Sequence, residues 1–121
     1  MQVETMLSDE IARFLDLATA EAKLTAANMA NIDTPGYKAV GMDFEAEMRL
    51  AMRDVAGGRA PRRVKVTDVD GLISRPDGNN VSMDREGLNL AEAQLRFKTG
   101  VALLHTEYQR VMDAIHADGG K

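Results

Sequence analysis

A chain of 121 residues with a net charge of −4 and no cysteine has room for one domain, lacks the basic surplus that general nucleic-acid or anionic-membrane binding draws on, and offers neither disulfides nor thiolate metal ligands. Its aromatic residues are three Phe and two Tyr, with no Trp, so any core must be built from Leu, Val, Ile, Met and Ala. No apolar run approaches the roughly 20 residues of a transmembrane helix, and MQVETMLSDE at the start has neither the basic nor the apolar segment of a cleaved secretory signal. Composition alone therefore places the chain in the cytoplasm.

The first predicted element is a helix over 9–32. Ser8 is placed to cap it, and Asp9 and Glu10 fall in the first turn, where negative charge complements the helix dipole. Leu7, Ile11, Phe14, Ala18, Ala22, Thr25, Met29 and Ile32 recur in steps of three and four and form one apolar stripe. A shorter helix is expected over Asp43–Ala56, with Phe44, Met48, Met52 and Val55 on one side, Glu45 spaced to pair with Arg49, and Gly57 and Gly58 ending it. The stretch between the long helices is too long for an ordinary connection. Its later part, with Val64 and Val66 in alternation and a Pro76-Asp77-Gly78 turn, predicts extended, partly mobile chain with room for a two-stranded ribbon.

The last element is a helix over 85–117 after Asp84 as its cap, carrying Leu90, Ala93, Phe97, Val101, Leu104, Tyr108, Val111 and Ile115 at helical spacing. Both stripes average about 3.57 residues per step, just below the helical 3.6, which suits gently left-handed packing. The fold class expected is all-α: one domain over 1–121 in which two long terminal helices pair as an antiparallel, coiled-coil-like hairpin, with a shorter helix and extended chain between them.

No residue pattern points to catalysis. His105 and His116 share a helix face but lie about 16 Å apart along it, too far to hold one metal. Asp113 and His116 have ligand spacing but lack a third partner. Asp43, Glu45 and Glu47 sit at a helix start beside no His or second cluster, so dipole and solubility account for them. The nucleophile-elbow, phosphate-loop and dinucleotide patterns are missing, and neither an enzyme nor a cofactor is expected. Arg59, Arg62, Arg63 and Lys65 form a small basic patch without aromatic neighbours for base stacking, read as a solvated loop or a contact for an acidic neighbouring subunit. Asn80-Val81-Ser82 fits the glycosylation pattern but has no secretory signal beside it.

The specific signal is ANMANIDTPGYKA, which closes the first helix. Pro35 cannot continue a helix, it biases Thr34 toward extended geometry, and Pro35-Gly36 suits the centre of a type II turn. Asn28 and Asn31 have short amides able to bond backbone groups around that exit, and the Tyr37 hydroxyl needs a partner. The pattern Asn28-x-Ala30-Asn31-x-x-Thr34-Pro35-Gly36-Tyr37 resembles the N-terminal signature of the bacterial flagellar rod, hook and hook-associated proteins. With YKAVGMDFEAEM following it, and DGNNVSMDREGLNLAEAQLRF later, the chain looks most like the proximal members of the flagellar basal-body rod protein family.

That resemblance implies a structural protein without enzymatic activity or cofactor, whose terminal helices pair into an inner domain that packs helically around a central channel. It makes Ile11, Phe14, Ala18, Ala22, Met29, Ile32, Leu90, Ala93, Phe97, Val101, Leu104, Tyr108, Val111 and Ile115 the faces through which helices pack and subunits assemble. The implied partners are copies of this chain, other rod and basal-body proteins, and the flagellar type III export apparatus, with no nucleic acid and no direct membrane insertion. The implied place is the periplasm-spanning rod, reached without signal cleavage, which overrules the cytoplasmic expectation. The alternatives are a sibling axial rod subunit and, from a different class, a cytoplasmic helical-hairpin adaptor or regulatory binding protein that never polymerises.

Overall fold

The computed structural model describes residues 5–119. In chain order it contains α1 (Met6–Ala30), β1 (Val40–Gly41), α2 (Phe44–Ala56), β2 (Thr67–Asp68) and α3 (Met83–Gly119). The fold is mostly helical, as expected, with α1 and α3 paired antiparallel and α2 packed on α1.

Both long helices start earlier than the expected caps. Thr5 is the cap of α1: its Oγ1 accepts the Ser8 N–H at 3.0 Å while Ser8 Oγ accepts the Thr5 N–H at 2.9 Å. Ser8 is thus the reciprocal partner three residues inside a capping box, and the helix gains most of a turn. At α3, Ser82 Oγ accepts the Arg85 N–H at 3.3 Å, so Asp84 lies within the first turn instead of capping it. The exit of α1 comes at Ala30, with Asn31 as C-cap, which leaves Ile32 outside the helix.

The α1–α3 contact is set by small residues. On α3 the buried positions are Glu86, Ala93, Gly100 and Glu107, at strict seven-residue spacing. A Cβ on Gly100 would stand 2.6 Å from Leu15 Cδ2 and 3.0 Å from Phe14 Cδ1, so here the two helices approach as closely as their side chains permit. Ile11, Ala18 and Thr25 provide the matching buried line on α1. The expected α3 stripe is therefore offset. Ala93 is at its centre, but Phe97, Val101, Leu104 and Tyr108 are 46%, 46%, 36% and 60% exposed, because they stand beside a seam whose closest approach, at Gly100, leaves no room for a side chain.

On α2 the expected apolar side is also displaced. Glu47 and Asp54 are the buried residues, and Met52 is exposed. The cause is the chain that follows, which turns at Gly57-Gly58 and folds back over the helix. Arg59 Nε donates to Asp54 Oδ1 at 3.0 Å and Arg62 Nε to Asp54 Oδ2 at 2.7 Å, while the Lys65 N–H donates to Glu47 Oε1 at 3.1 Å. Arg13 of α1 holds the same segment by donating to the Arg59 carbonyl at 2.8 Å. Half of the basic patch is thus tied to this chain's own carboxylate. Glu45 and Arg49 make no ion pair among the described residues.

The N-terminus of α2 wedges against the hairpin. Phe44 meets Phe14 edge to face with ring centres 5.7 Å apart, and Arg96 of α3 stacks over Phe44 at 4.1 Å. Arg96 Nη1 also donates to both oxygens of Glu21, at 2.7 and 2.8 Å, so one guanidinium links all three helices. A two-stranded ribbon does form, but not within the later segment alone. Val40 pairs with Asp68 and Gly41 with Thr67, so one strand precedes α2 and the other follows it.

Candidate functional site: the asparagine junction where α1 ends

The turn after α1 has the expected geometry. The Tyr37 N–H donates to the Thr34 carbonyl at 3.2 Å and Gly36 has φ +76°, close to the roughly +80° of the third position of a type II turn. Asn31 secures the helix end from both sides of its amide. Its Nδ2 donates to the Ala27 carbonyl at 2.8 Å, and its Oδ1 accepts the Thr34 hydroxyl at 3.0 Å. Ala30 and Pro35 are exposed and contribute through backbone shape.

Asn28 is the centre of the junction. It is 1% exposed and its amide makes four hydrogen bonds. Oδ1 accepts the Tyr37 hydroxyl and the Val40 N–H, each at 3.0 Å; Nδ2 donates to the Val40 carbonyl at 2.7 Å and to Glu86 Oε1 at 2.9 Å. Both amide protons and both lone pairs are satisfied, the full capacity of the side chain. The end of α1, the strand before α2 and the start of α3 are thereby joined at one residue. Glu86 is fully buried, and Arg85 Nη1 donates to its Oε1 at 2.8 Å. Its Oε2 is the buried side-chain oxygen without a hydrogen-bond partner among the described residues.

The returning chain docks on the turn through two further asparagines that sequence reasoning did not single out as site residues. Asn79 is fully buried and donates to the Asn31 carbonyl at 2.8 Å and the Thr34 carbonyl at 2.9 Å. Asn80 Oδ1 accepts the Ala39 N–H at 2.7 Å. Arg75 donates to the Val81 and Ile32 carbonyls, and Lys38 to Ser74 and the Gly78 carbonyl. Gly78, at φ +87°, sits so close that a Cβ on it would lie 3.4 Å from the Gly36 Cα. The signal available in the sequence was DGNN: a turn with two amides just ahead of a helix.

The expected helix-packing residues divide in three. Ile11, Ala18 and Ala93 are buried; Phe14, Ala22, Met29, Ile32, Leu90, Val111 and Ile115 are half-buried; Phe97, Val101, Leu104 and Tyr108 are exposed. Among the described residues there is no group of three or more His, Cys, Asp or Glu positioned to hold a metal, and no helix is long and apolar enough to cross a membrane. The arrangement is a mechanical node: a hydrogen-bonded corner between two long helices, one of which presents apolar side chains to the outside.

The chain is similar in sequence to known proteins. Over 119 residues the chain is 33% identical to the flagellar basal body rod protein FlgB of Salmonella typhimurium strain LT2, covering 84% of this chain and 86% of that protein. The chain belongs to the FlgB family of flagellar basal body rod proteins. Its identity to FlgB of Cereibacter sphaeroides is 33% over 117 residues, covering 88% and 91% of the two chains, and to FlgB of Escherichia coli K12 it is 27% over 121 residues, covering 85% and 88%. No protein-family model matches the chain. As a FlgB family member it is a structural protein of the basal body rod.

Proposed function

We propose that this chain builds the proximal part of the rod by self-assembly through α1 and α3, and that the asparagine junction fixes the angle at which the middle segment leaves the helical hairpin. The observation that carries the reading is the exposed apolar side of α3. Phe97, Val101, Leu104 and Tyr108 follow one another at helical spacing beside the seam, and among the described residues they stay 36–60% exposed. Burying a large apolar side chain contributes about 1.5–3 kcal/mol, so this face favours association strongly. A contact between unlike faces does not close on itself, and repeated it gives a helical filament. Neighbouring rod and basal-body proteins complete the contacts at either end of the stack. The chain reaches its periplasm-spanning place through the flagellar export apparatus without signal cleavage, which accounts for its acidic, cysteine-free composition as well as a cytoplasmic address does.

Phe97→Ala and Leu104→Ala test this reading. If these side chains are buried in the rod, each loses about 2–5 kcal/mol of packing there and little in the isolated subunit, where they are exposed. Motility and rod recovery should fall while expression and export, assayed separately, continue. Normal motility with both substitutions combined would refute assembly through this face.

A further inference from the structure

Asp-Gly pairs occur in the chain at 70–71, 77–78 and 118–119. An aspartate followed by glycine is open to isomerisation, because no side chain beside the glycine nitrogen hinders its attack on the carboxyl carbon. Gly71 and Gly78 hold φ at +80° and +87°, a backbone region that other residues resist. The loop thus requires, at both places, the residue that makes the pair reactive. The surroundings of the two pairs differ. At the second, the Gly78 N–H donates to the Arg75 carbonyl at 2.8 Å, Asp77 Oδ1 accepts the Asn79 N–H at 3.0 Å, and the Asp77 carbonyl accepts the Gly36 N–H at 2.9 Å. Attacking nitrogen and attacked carboxyl are both held in place. At the first, Asp70 and Gly71 are exposed, and neither the Asp70 carboxylate nor the Gly71 N–H has a hydrogen-bond or ion-pair partner among the described residues. A Cβ on Gly71 would meet nothing within 4 Å, so the turn there is uncrowded.

We propose that Asp70-Gly71 is a self-modification site, at which the folded subunit converts Asp70 to isoaspartate while Asp77 is protected. The Gly71 nitrogen attacks Asp70 Cγ. An N–Cγ bond forms as a Cγ–O bond breaks, and the hydroxyl of the carboxyl, protonated from solvent, leaves with the amide hydrogen as one water. The product is a cyclic succinimide. Water then adds at the main-chain carbonyl of the ring and breaks its bond to nitrogen, so the backbone runs on through Cβ and Cγ, and the former main-chain carbonyl becomes a free carboxylate, releasing the proton. One water is lost and one regained, with no oxidant or reductant, and mass and charge are unchanged. The backbone is longer by one methylene. No hydrogen bond of the asparagine junction involves residue 70 or 71, so the modified subunit keeps that junction. The same change at Asp77 would insert the methylene into the turn that packs against Gly36.

The test ages the purified full chain at neutral pH and physiological temperature for weeks, in buffer and in parallel in concentrated urea, and then digests both samples with trypsin. Residues 66–85 stay in one peptide, because Arg75 precedes Pro76, and Asp118 falls in another. Electron-transfer fragmentation of the 66–85 peptide assigns isoaspartate to position 70 or 77. In buffer, isoaspartate should accumulate at 70 severalfold faster than at 77; in urea, which removes the hydrogen bonds around Asp77, the two rates should become comparable. Asp70→Glu keeps the charge but must close a larger, disfavoured ring, and should remove the modified form of the peptide from the folded sample. Equal rates at 70 and 77 in buffer would overturn the proposal. So would an unmodified Asp70 in buffer at a time when the urea sample has converted.

Discussion

At the scale of single residues, the Asn28 amide is the most consequential group in the molecule. Asn28→Asp keeps its shape but exchanges two donors for a second carboxylate against buried Glu86. Two carboxylates in contact cannot both ionise at low cost, so this variant should be strongly destabilised near neutral pH and regain stability as pH falls and the pair takes up a proton. Asn28→Ala should lose at least about 2 kcal/mol with no such recovery, and thermal unfolding as a function of pH separates the two. Tyr37→Phe removes only the hydroxyl bond to Asn28 and should cost about 0.5–1.5 kcal/mol. At Gly36 a Cβ would meet nothing within 4 Å, so the penalty there is purely the positive φ. Gly36→Asn should be milder than Gly36→Val in thermal unfolding, because Asn tolerates left-handed backbone and a β-branched residue resists it. The Asn31, Thr34, Pro35, Gly36 and Tyr37 device was legible from sequence because most of its bonds are local. Asn79 and Glu86 were not, since their partners lie 48 and 58 residues away and nothing in the intervening spacing marks the pairing.

At the scale of elements, two glycines in one helix make opposite predictions. Gly87 has open space around its Cα, so Gly87→Ala should add helix propensity and stabilise by about 0.5–1 kcal/mol. Gly100→Ala gains the same propensity but drives a methyl into Leu15 and Phe14, where overpacking costs about 1–3 kcal/mol; urea unfolding should show a net loss. The three helices could be read from periodicity, which reports amphipathic length well. Their seams could not. A periodic stripe marks where large apolar residues recur, whereas α1 and α3 meet along Ala18, Ala93 and Gly100, whose importance is their lack of bulk. Periodicity was equally blind to the burial of Glu47, which reads in sequence as a matter of dipole and solubility, and of Asp54, since their partners Lys65, Arg59 and Arg62 come from the returning loop.

At the scale of the whole molecule, acid should loosen the fold at two separate points. Hydrogen bonds from Arg62 and then Arg59 hold the Asp54 carboxyl down to about 2, from an ordinary 3.8. Arg110 and then Thr5 lower Glu107 as well. A carboxyl depressed in the folded state contributes stability that is complete above its unfolded pKa and lost as pH falls through the folded one. Stability should therefore decline below about pH 4, and Asp54→Asn should flatten that decline. Glu21 runs the other way: burial raises it, so its protonation favours the folded chain and partly offsets the loss. Limited proteolysis at Arg59, Arg62 and Arg63 should accelerate in Asp54→Asn, since the segment over α2 is fastened chiefly to that carboxylate. A whole-molecule reading from sequence reached the hairpin and the flagellar family through one multi-residue motif. It anticipated a two-stranded ribbon in the later segment but not its pairing, because one strand precedes α2 and a two-residue contact leaves no periodicity to detect.

The fourfold bonding of Asn28 also dictates an order of events in time. Two of its contacts come from Val40, one from Tyr37 and one from Glu86, so the amide is still in water when α1 alone has formed. Its most distant bond needs a loop of 58 residues to close. Energy gained after the barrier slows escape from the folded state without speeding arrival. Asn28→Ala should raise the unfolding rate by nearly the whole of its stability loss and leave the refolding rate almost unchanged in stopped-flow measurements. The junction is a latch on the finished subunit.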